Sequence, residues 1–153
     1  MYSFLEEAKN SNHKLIITFG GAYSNHLAAT AYACKEAGLK CIGFVRGEKP
    51  KELSHTLLFC LENGMQLEFI SRELYKKINE EKFHTELIKK YGDHTLIPEG
   101  GFSRKGANGA KLICNYFNSE NFSHVCCAVG TVTTLAGLIT GSNKETEIIG
   151  FSV

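Results

Sequence analysis

The sequence has no excess of charge of either sign. Seventeen lysines and arginines stand against sixteen aspartates and glutamates, a formal net charge of +1, so no broad field exists to gather nucleic acid or an anionic membrane surface. It also lacks any run approaching the roughly 18 apolar residues of a membrane helix. The start, Met1-Tyr2-Ser3-Phe4-Leu5-Glu6-Glu7, has no basic segment followed by an apolar stretch, so a cytoplasmic protein is expected. Six cysteines (Cys34, Cys41, Cys60, Cys114, Cys126, Cys127) show neither C-x-x-C spacing nor the density of a disulfide scaffold. They read as reduced core residues, and no metal site is expected. Cys126 and Cys127, adjacent in a strand, point to opposite faces and cannot share an ion. Neither a Gly-Lys-[Ser/Thr] phosphate loop nor a G-x-G-x-x-G fingerprint is present, which sets aside a nucleotide P-loop and opposes a nicotinamide dehydrogenase. There is no low-complexity linker and no internal repeat. What remains is small-molecule chemistry on 153 residues, 43% hydrophobic and 22% charged, enough for one domain or pieces of two.

Apolar periodicity alternates between short β-rich runs and longer helical stretches, with glycine at many junctions. The pattern predicts a helix at 3–11, a strand at 14–19, and a turn at Gly20-Gly21-Ala22-Tyr23. Ser24 or Asn25 caps a helix running to about Ala37 and stopped by Gly38. A strand at 40–45 leads to a helix at about 50–62 with Pro50 as its first residue, ended by Asn63-Gly64. A strand at 65–70 follows, then one long solvated helix over 71–91 closed by Gly92. Thr95-Leu96-Ile97-Pro98 reads as a strand end. A helix at 104–118, a strand at 123–129, a helix at 133–140 and a strand at 147–152 complete the chain. Strands alternating with helices make the fold class α/β, with parallel sheets and helices on both faces.

Three segments carry candidate chemistry. Gly20-Gly21-Ala22-Tyr23-Ser24-Asn25-His26 lies between a buried strand and a helix start, where parallel α/β proteins bind ligands. It reads equally as a glycine turn with a capping residue. Gly130-Thr131-Val132-Thr133-Thr134, again between strand and helix, is hydroxyl-rich and suits a phosphate. Pro98-Glu99-Gly100-Gly101-Phe102-Ser103 runs into a helix with Gly106, Ala107, Gly109 and Ala110, for which a turn and close helix packing are the favoured explanation.

Taken together and in this order, GGAYSNH, IPEGG with Gly-Ala-x-Gly, and AVGTVTTLAGL resemble the aminocyclopropane-carboxylate deaminase and D-cysteine desulfhydrase family. That family belongs to the tryptophan-synthase-β-like enzymes. The resemblance spans almost the whole chain. It implies a two-domain α/β fold with pyridoxal phosphate in the cleft between domains, residues 1–92 forming most of the smaller domain and 93–153 the start of the larger. It assigns Asn25 to the cofactor's ring oxygen, and Ser24 and His26 to the substrate carboxylate. It gives the phosphate to Gly130, Thr131, Val132, Thr133 and Thr134. The reaction implied releases ammonia and a 2-oxo acid from a small amino acid, with sulfide as well from D-cysteine. A homodimer is the implied assembly.

Two departures accompany the resemblance. Val132 stands where relatives commonly have glycine, so the loop loses freedom to adopt positive φ. The family's Schiff-base lysine falls upstream of Met1; Lys9 and Lys14 are not at its position and read as solvated. The later half that supplies further catalytic groups falls after Val153. The expectation is a truncated fragment, inactive by itself. The rival readings are a non-catalytic remnant that binds the cofactor weakly or not at all, and a β-replacement enzyme of the cysteine-synthase type.

Overall fold

The computed structural model describes residues 1–120 and 122–152. Its elements are α1 (Tyr2–Asn10), β1 (Leu15–Gly20), α2 (Asn25–Glu36), β2 (Lys40–Arg46), α3 (His55–Glu62), β3 (Met65–Ile70), α4 (Arg72–Tyr75), α5 (Glu81–Tyr91), β4 (Thr95–Ile97), α6 (Arg104–Lys111), β5 (His124–Val129), α7 (Thr133–Gly141) and β6 (Glu147–Ser152). The chain divides into two compact units, one of Leu5–Ile97 and one of Met1–Phe4 with Pro98–Val153.

The first unit is a four-stranded sheet in the order β3-β2-β1-β4, and all its pairings are parallel. Central strands of such a sheet are covered on both faces, which is why β1 and β2 read as unbroken apolar runs. On one face Ile17, Phe19, Ile42 and Phe44 meet Tyr75, Ile78, Phe83 and Leu87. Phe19 lies 5.7 Å from Phe44 and 6.1 Å from Phe83 between ring centroids, and edge-on to Tyr75 at 6.5 Å. Each such pair adds about 0.5–1.5 kcal/mol beyond its burial. The other face is covered by α2 and α3. There a Cβ on Gly43 of β2 would stand 2.7 Å from Met65 Sδ and 3.2 Å from Leu27 Cδ2, so only glycine admits these side chains over the strand.

Two expectations are corrected here. The segment 71–91 is two helices, α4 and α5, and its inner side is core rather than solvated surface. Ile78 and Leu87 are nine residues apart, about two and a half turns, and would lie on opposite sides of one continuous helix. The break at 76–80 lets both face the sheet. Likewise α3 starts at His55, five residues after Pro50, because the Ser54 hydroxyl accepts from the N–H of Leu57 at 3.2 Å and sets the start of the helix.

The second unit pairs β5 with β6 in parallel, joined through α7. The stripe of small residues on α6 is explained by packing. A Cβ on Gly137 of α7 would lie 2.5 Å from Ala110 Cβ and 2.7 Å from the Ala107 carbonyl, and one on Gly106 would lie 2.9 Å from Thr133. The helix expected over 104–118 ends at Lys111 and tightens into a 3-10 turn over Leu112–Tyr116. That turn buries Cys114, whose thiol points at the Leu138 carbonyl at 3.6 Å. All six cysteines are free; Cys34, Cys41, Cys60 and Cys114 are buried as expected, but Cys126 is exposed and Cys127 half-buried. Among the described residues no helix is long and apolar enough to cross a membrane.

Candidate active site

The segment 20–26 is built by close approach of a helix start to a strand end. A Cβ on Gly20 would stand 2.6 Å from Ser24 Oγ and 2.7 Å from Leu27 Cγ, so glycine here is what lets α2 begin directly over β1. Ser24 is the N-cap, its Oγ accepting from the N–H of Leu27 at 3.3 Å. The hydroxyl keeps its own proton for another acceptor. The N–H groups of Asn25 and His26, in the first turn, have no acceptor within the helix. The loop is anchored from α3 by a hydrogen bond that the sequence does not reveal: the Ser54 hydroxyl, while capping α3, donates to the Ala22 carbonyl. Ring contact between Tyr23 and His55, 5.9 Å between centroids, lies beside it.

Asn25 is exposed at the start of α2. It lines an open depression of about 360 Å³ together with Ala28, His55, Thr56 and Phe59. Ala28 is one turn along α2 from Asn25, whereas His55, Thr56 and Phe59 carry no motif and are placed there by the packing of α2 beside α3. His26 is half-buried, its Nε2 2.7 Å from Thr18 Oγ1. Burial lowers its pKa to about 4, so the ring is neutral at pH 7.

In the second unit, Gly130 and Thr131 are exposed and lead into α7. Val132 is the N-cap, at φ 65° and ψ −12°, with no side-chain cap on the helix. The restricted residue therefore does take the left-handed conformation, at a cost of about 1–3 kcal/mol. Thr131 Oγ1 donates to the Gly100 carbonyl at 3.3 Å and lies 3.3 Å from Thr133 Oγ1. Gly100 has φ 63°, and a Cβ on it would fall 2.2 Å from the Thr131 hydroxyl. The Pro98–Ser103 segment thus buttresses the 130–134 loop. Thr134 is exposed in the first turn of α7.

Each unit by itself presents a set of hydrogen-bond donors. The first-turn N–H groups of α7 lack a side-chain cap, and threonine hydroxyls stand beside them, a donor set suited to phosphate. In the other unit Asn25 presents an exposed amide and Ser24 a hydroxyl proton that its capping bond does not use. A cation at His26 is not part of that set. Lys14 is exposed, and Lys9 is solvated beside Glu6 at 3.6 Å.

No family model matches the chain. It is 37% identical over 144 residues to a Thermotoga maritima protein named "Putative 1-aminocyclopropane-1-carboxylate deaminase", covering 90% of this chain and 46% of that protein. A Pyrococcus abyssi protein of the same name is 31% identical over 162 residues, covering 97% of this chain and 48% of its own length. The chain thus spans about half the length of these curated relatives. Among solved structures, one described as an ACC deaminase homologue superposes with a TM-score of 0.73 at 30% identity, over 90% of this chain and 43% of that one. An O-ureido-L-serine synthase superposes at 0.66 with 15% identity, over 97% of this chain and 48% of that one, and so shares the fold. Over the residues it spans, the chain is a homologue of proteins named putative 1-aminocyclopropane-1-carboxylate deaminase, and it has the parallel α/β architecture of the ACC deaminase homologue and of the other solved structures that it superposes on.

Proposed function

We propose that this protein works in a pyridoxal-phosphate-dependent deaminase or desulfhydrase acting on small amino acids of the aminocyclopropane-carboxylate or D-cysteine type. The single observation that carries the reading is the 37% identity over 144 residues, which takes in all three motif segments. Pyridoxal phosphate, when bound, supplies an electron sink for breaking a substrate bond. The chain's own residues supply aim. The uncapped start of α7, with Gly130, Thr131, Val132, Thr133 and Thr134, holds the phosphate. Asn25 donates to the ring oxygen. The substrate carboxylate is received by the Ser24 hydroxyl and by the first-turn N–H groups, that of His26 included. The products are ammonia and a 2-oxo acid, with sulfide as well from D-cysteine. We further propose a homodimer, with a small amino acid and no nucleic acid or membrane among its partners, and 1–92 and 93–153 as portions of a smaller and a larger domain.

A polypeptide of these 153 residues alone carries no lysine at the family's Schiff-base position, and we expect it to release no ammonia from either amino acid. Cofactor binding is therefore the informative test. Titrating the protein with pyridoxal 5′-phosphate should give saturable, dialysable binding that inorganic phosphate competes away. Asn25→Ala and Thr134→Val should each weaken it by about tenfold, the worth of one or two hydrogen bonds. Absence of saturable binding, or indifference to both substitutions, defeats the proposal and favours a non-catalytic chain that binds little or nothing. One observation already leans toward that second reading: the strain held at Val132 within the proposed phosphate loop. A β-replacement enzyme of the cysteine-synthase type has only the shared fold in its favour.

A further inference from the structure

His26 belongs to the segment assigned to the substrate, yet its ring is engaged elsewhere. Nε2 lies 2.7 Å from the hydroxyl oxygen of Thr18, a residue wholly buried in the middle of β1. The same oxygen lies 2.9 Å from the carbonyl of Ile97, its register partner in β4. A hydroxyl has one proton to give. If it went to the imidazole, two oxygens would face each other at 2.9 Å with no hydrogen between them, and a buried carbonyl would lose a donor. The proton therefore goes to Ile97, and the contact with the ring needs a hydrogen on Nε2. Thr30, one turn along α2, donates its hydroxyl to the His26 carbonyl at 2.8 Å, so backbone and ring are both held.

We propose that Thr18 is a positioning residue that fixes His26 as the neutral Nε2–H tautomer, leaving Nδ1 as a bare acceptor at the first turn of α2. The ring can then accept a hydrogen bond or a proton from a ligand's N–H or O–H group, and it cannot donate to a carboxylate from Nδ1. Carboxylate binding falls to Ser24 and the backbone. This role deepens the functional reading above and takes its relevance to substrate from it, whereas the tautomer itself is a property of the ligand-free protein.

The test is therefore made without cofactor or amino acid. Two-bond 1H–15N correlation spectra of histidine-labelled protein at pH 7 should show a pyrrole-type Nε2 and a pyridine-type Nδ1 for His26, assigned by its loss in His26→Gln. Thr18→Ser, which keeps the hydroxyl, should reproduce the pattern. Thr18→Val, which keeps the shape, should shift both nitrogens toward the averaged values of a ring exchanging between tautomers. A pyrrole-type Nδ1 or a charged ring in the wild-type protein overturns the proposal, as does a Thr18→Val spectrum identical to wild type. Should Thr18→Val not fold, the wild-type and Thr18→Ser spectra decide alone. The result stands apart from pyridoxal-phosphate binding: a fixed tautomer with no cofactor affinity defeats only the functional reading.

Discussion

Val132 and His26 are both constrained by their surroundings, the first in its backbone and the second in its response to acid. Val132 sits at φ 65°, where a β-branched side chain is strained by about 1–3 kcal/mol. Val132→Gly relieves that strain and forfeits part of the gain to unfolded-state entropy. The expected outcome is stabilisation of about 1 kcal/mol by urea denaturation and tighter phosphate binding by titration. His26 has its pKa lowered by burial from the ordinary 6.5 to about 4. Above pH 6.5 the ring is neutral whether the protein is folded or not. Between 6.5 and 4 the unfolded chain takes up the proton and the folded one does not, so stability is lost as the pH is lowered through this window, by up to about 3 kcal/mol. Denaturation curves at pH 7 and pH 4.5 should differ less in His26→Gln by that contribution. Ser24, Asn25 and the threonines of 130–134 were legible in the sequence because glycine and hydroxyl residues cluster at strand-to-helix junctions. Thr18 was not, since a threonine inside an apolar strand run has no signature until the strand beside it is known.

Helices and turns show the same division between local and non-local signals. Strands β3 and β6 coincide with the spans expected for them because short runs of β-branched, aromatic and aliphatic residues bounded by turns mark a strand locally, even where its side chains are half-buried or exposed. The 71–91 segment misled because its charges outnumber Tyr75, Ile78, Phe83 and Leu87, and the need to bring those four onto one sheet face is a property of the sheet. Pro50 misled for the opposite reason: its preference for a first helical turn is real, but Ser54 caps α3 and also donates to Ala22. Ser54→Ala removes both bonds, and a loss of about 1–2 kcal/mol in melting experiments is expected, the upper part of the range for an N-cap. Gly137→Ala sets a methyl 2.5 Å from Ala110 Cβ. Overpacking of this kind costs about 1–3 kcal/mol, and pairing it with Ala110→Gly should recover only part of the loss, because the Ala107 carbonyl still stands 2.7 Å from the added methyl.

At the scale of the molecule, burial is uneven. Ile16, Ile17, Thr18 and Phe19 of β1 are essentially inaccessible, whereas β5 and β6 contain no fully buried residue. Opening free energy follows burial, so amide exchange should be slowest in β1 and β2 and faster by orders of magnitude in β5 and β6. Uniform protection across the six strands would contradict this.

The four-stranded unit also treats the two ends of its strands differently. Turns leaving the strands include the Gly20–Ser24 segment, crowded by Leu27 and tied by Ser54. Turns leading back into β1, β2, β3 and β4 hold Asn12, Gly38, Gly64 and Gly92 at positive φ, and the three glycines have nothing within 4 Å of where a side chain would start. Extra residues, affinity tags or a permuted chain opening belong at those three roomy glycine turns, while the Gly20–Ser24 turn, where a single added Cβ on Gly20 would already meet Ser24 and Leu27, is the one to leave intact.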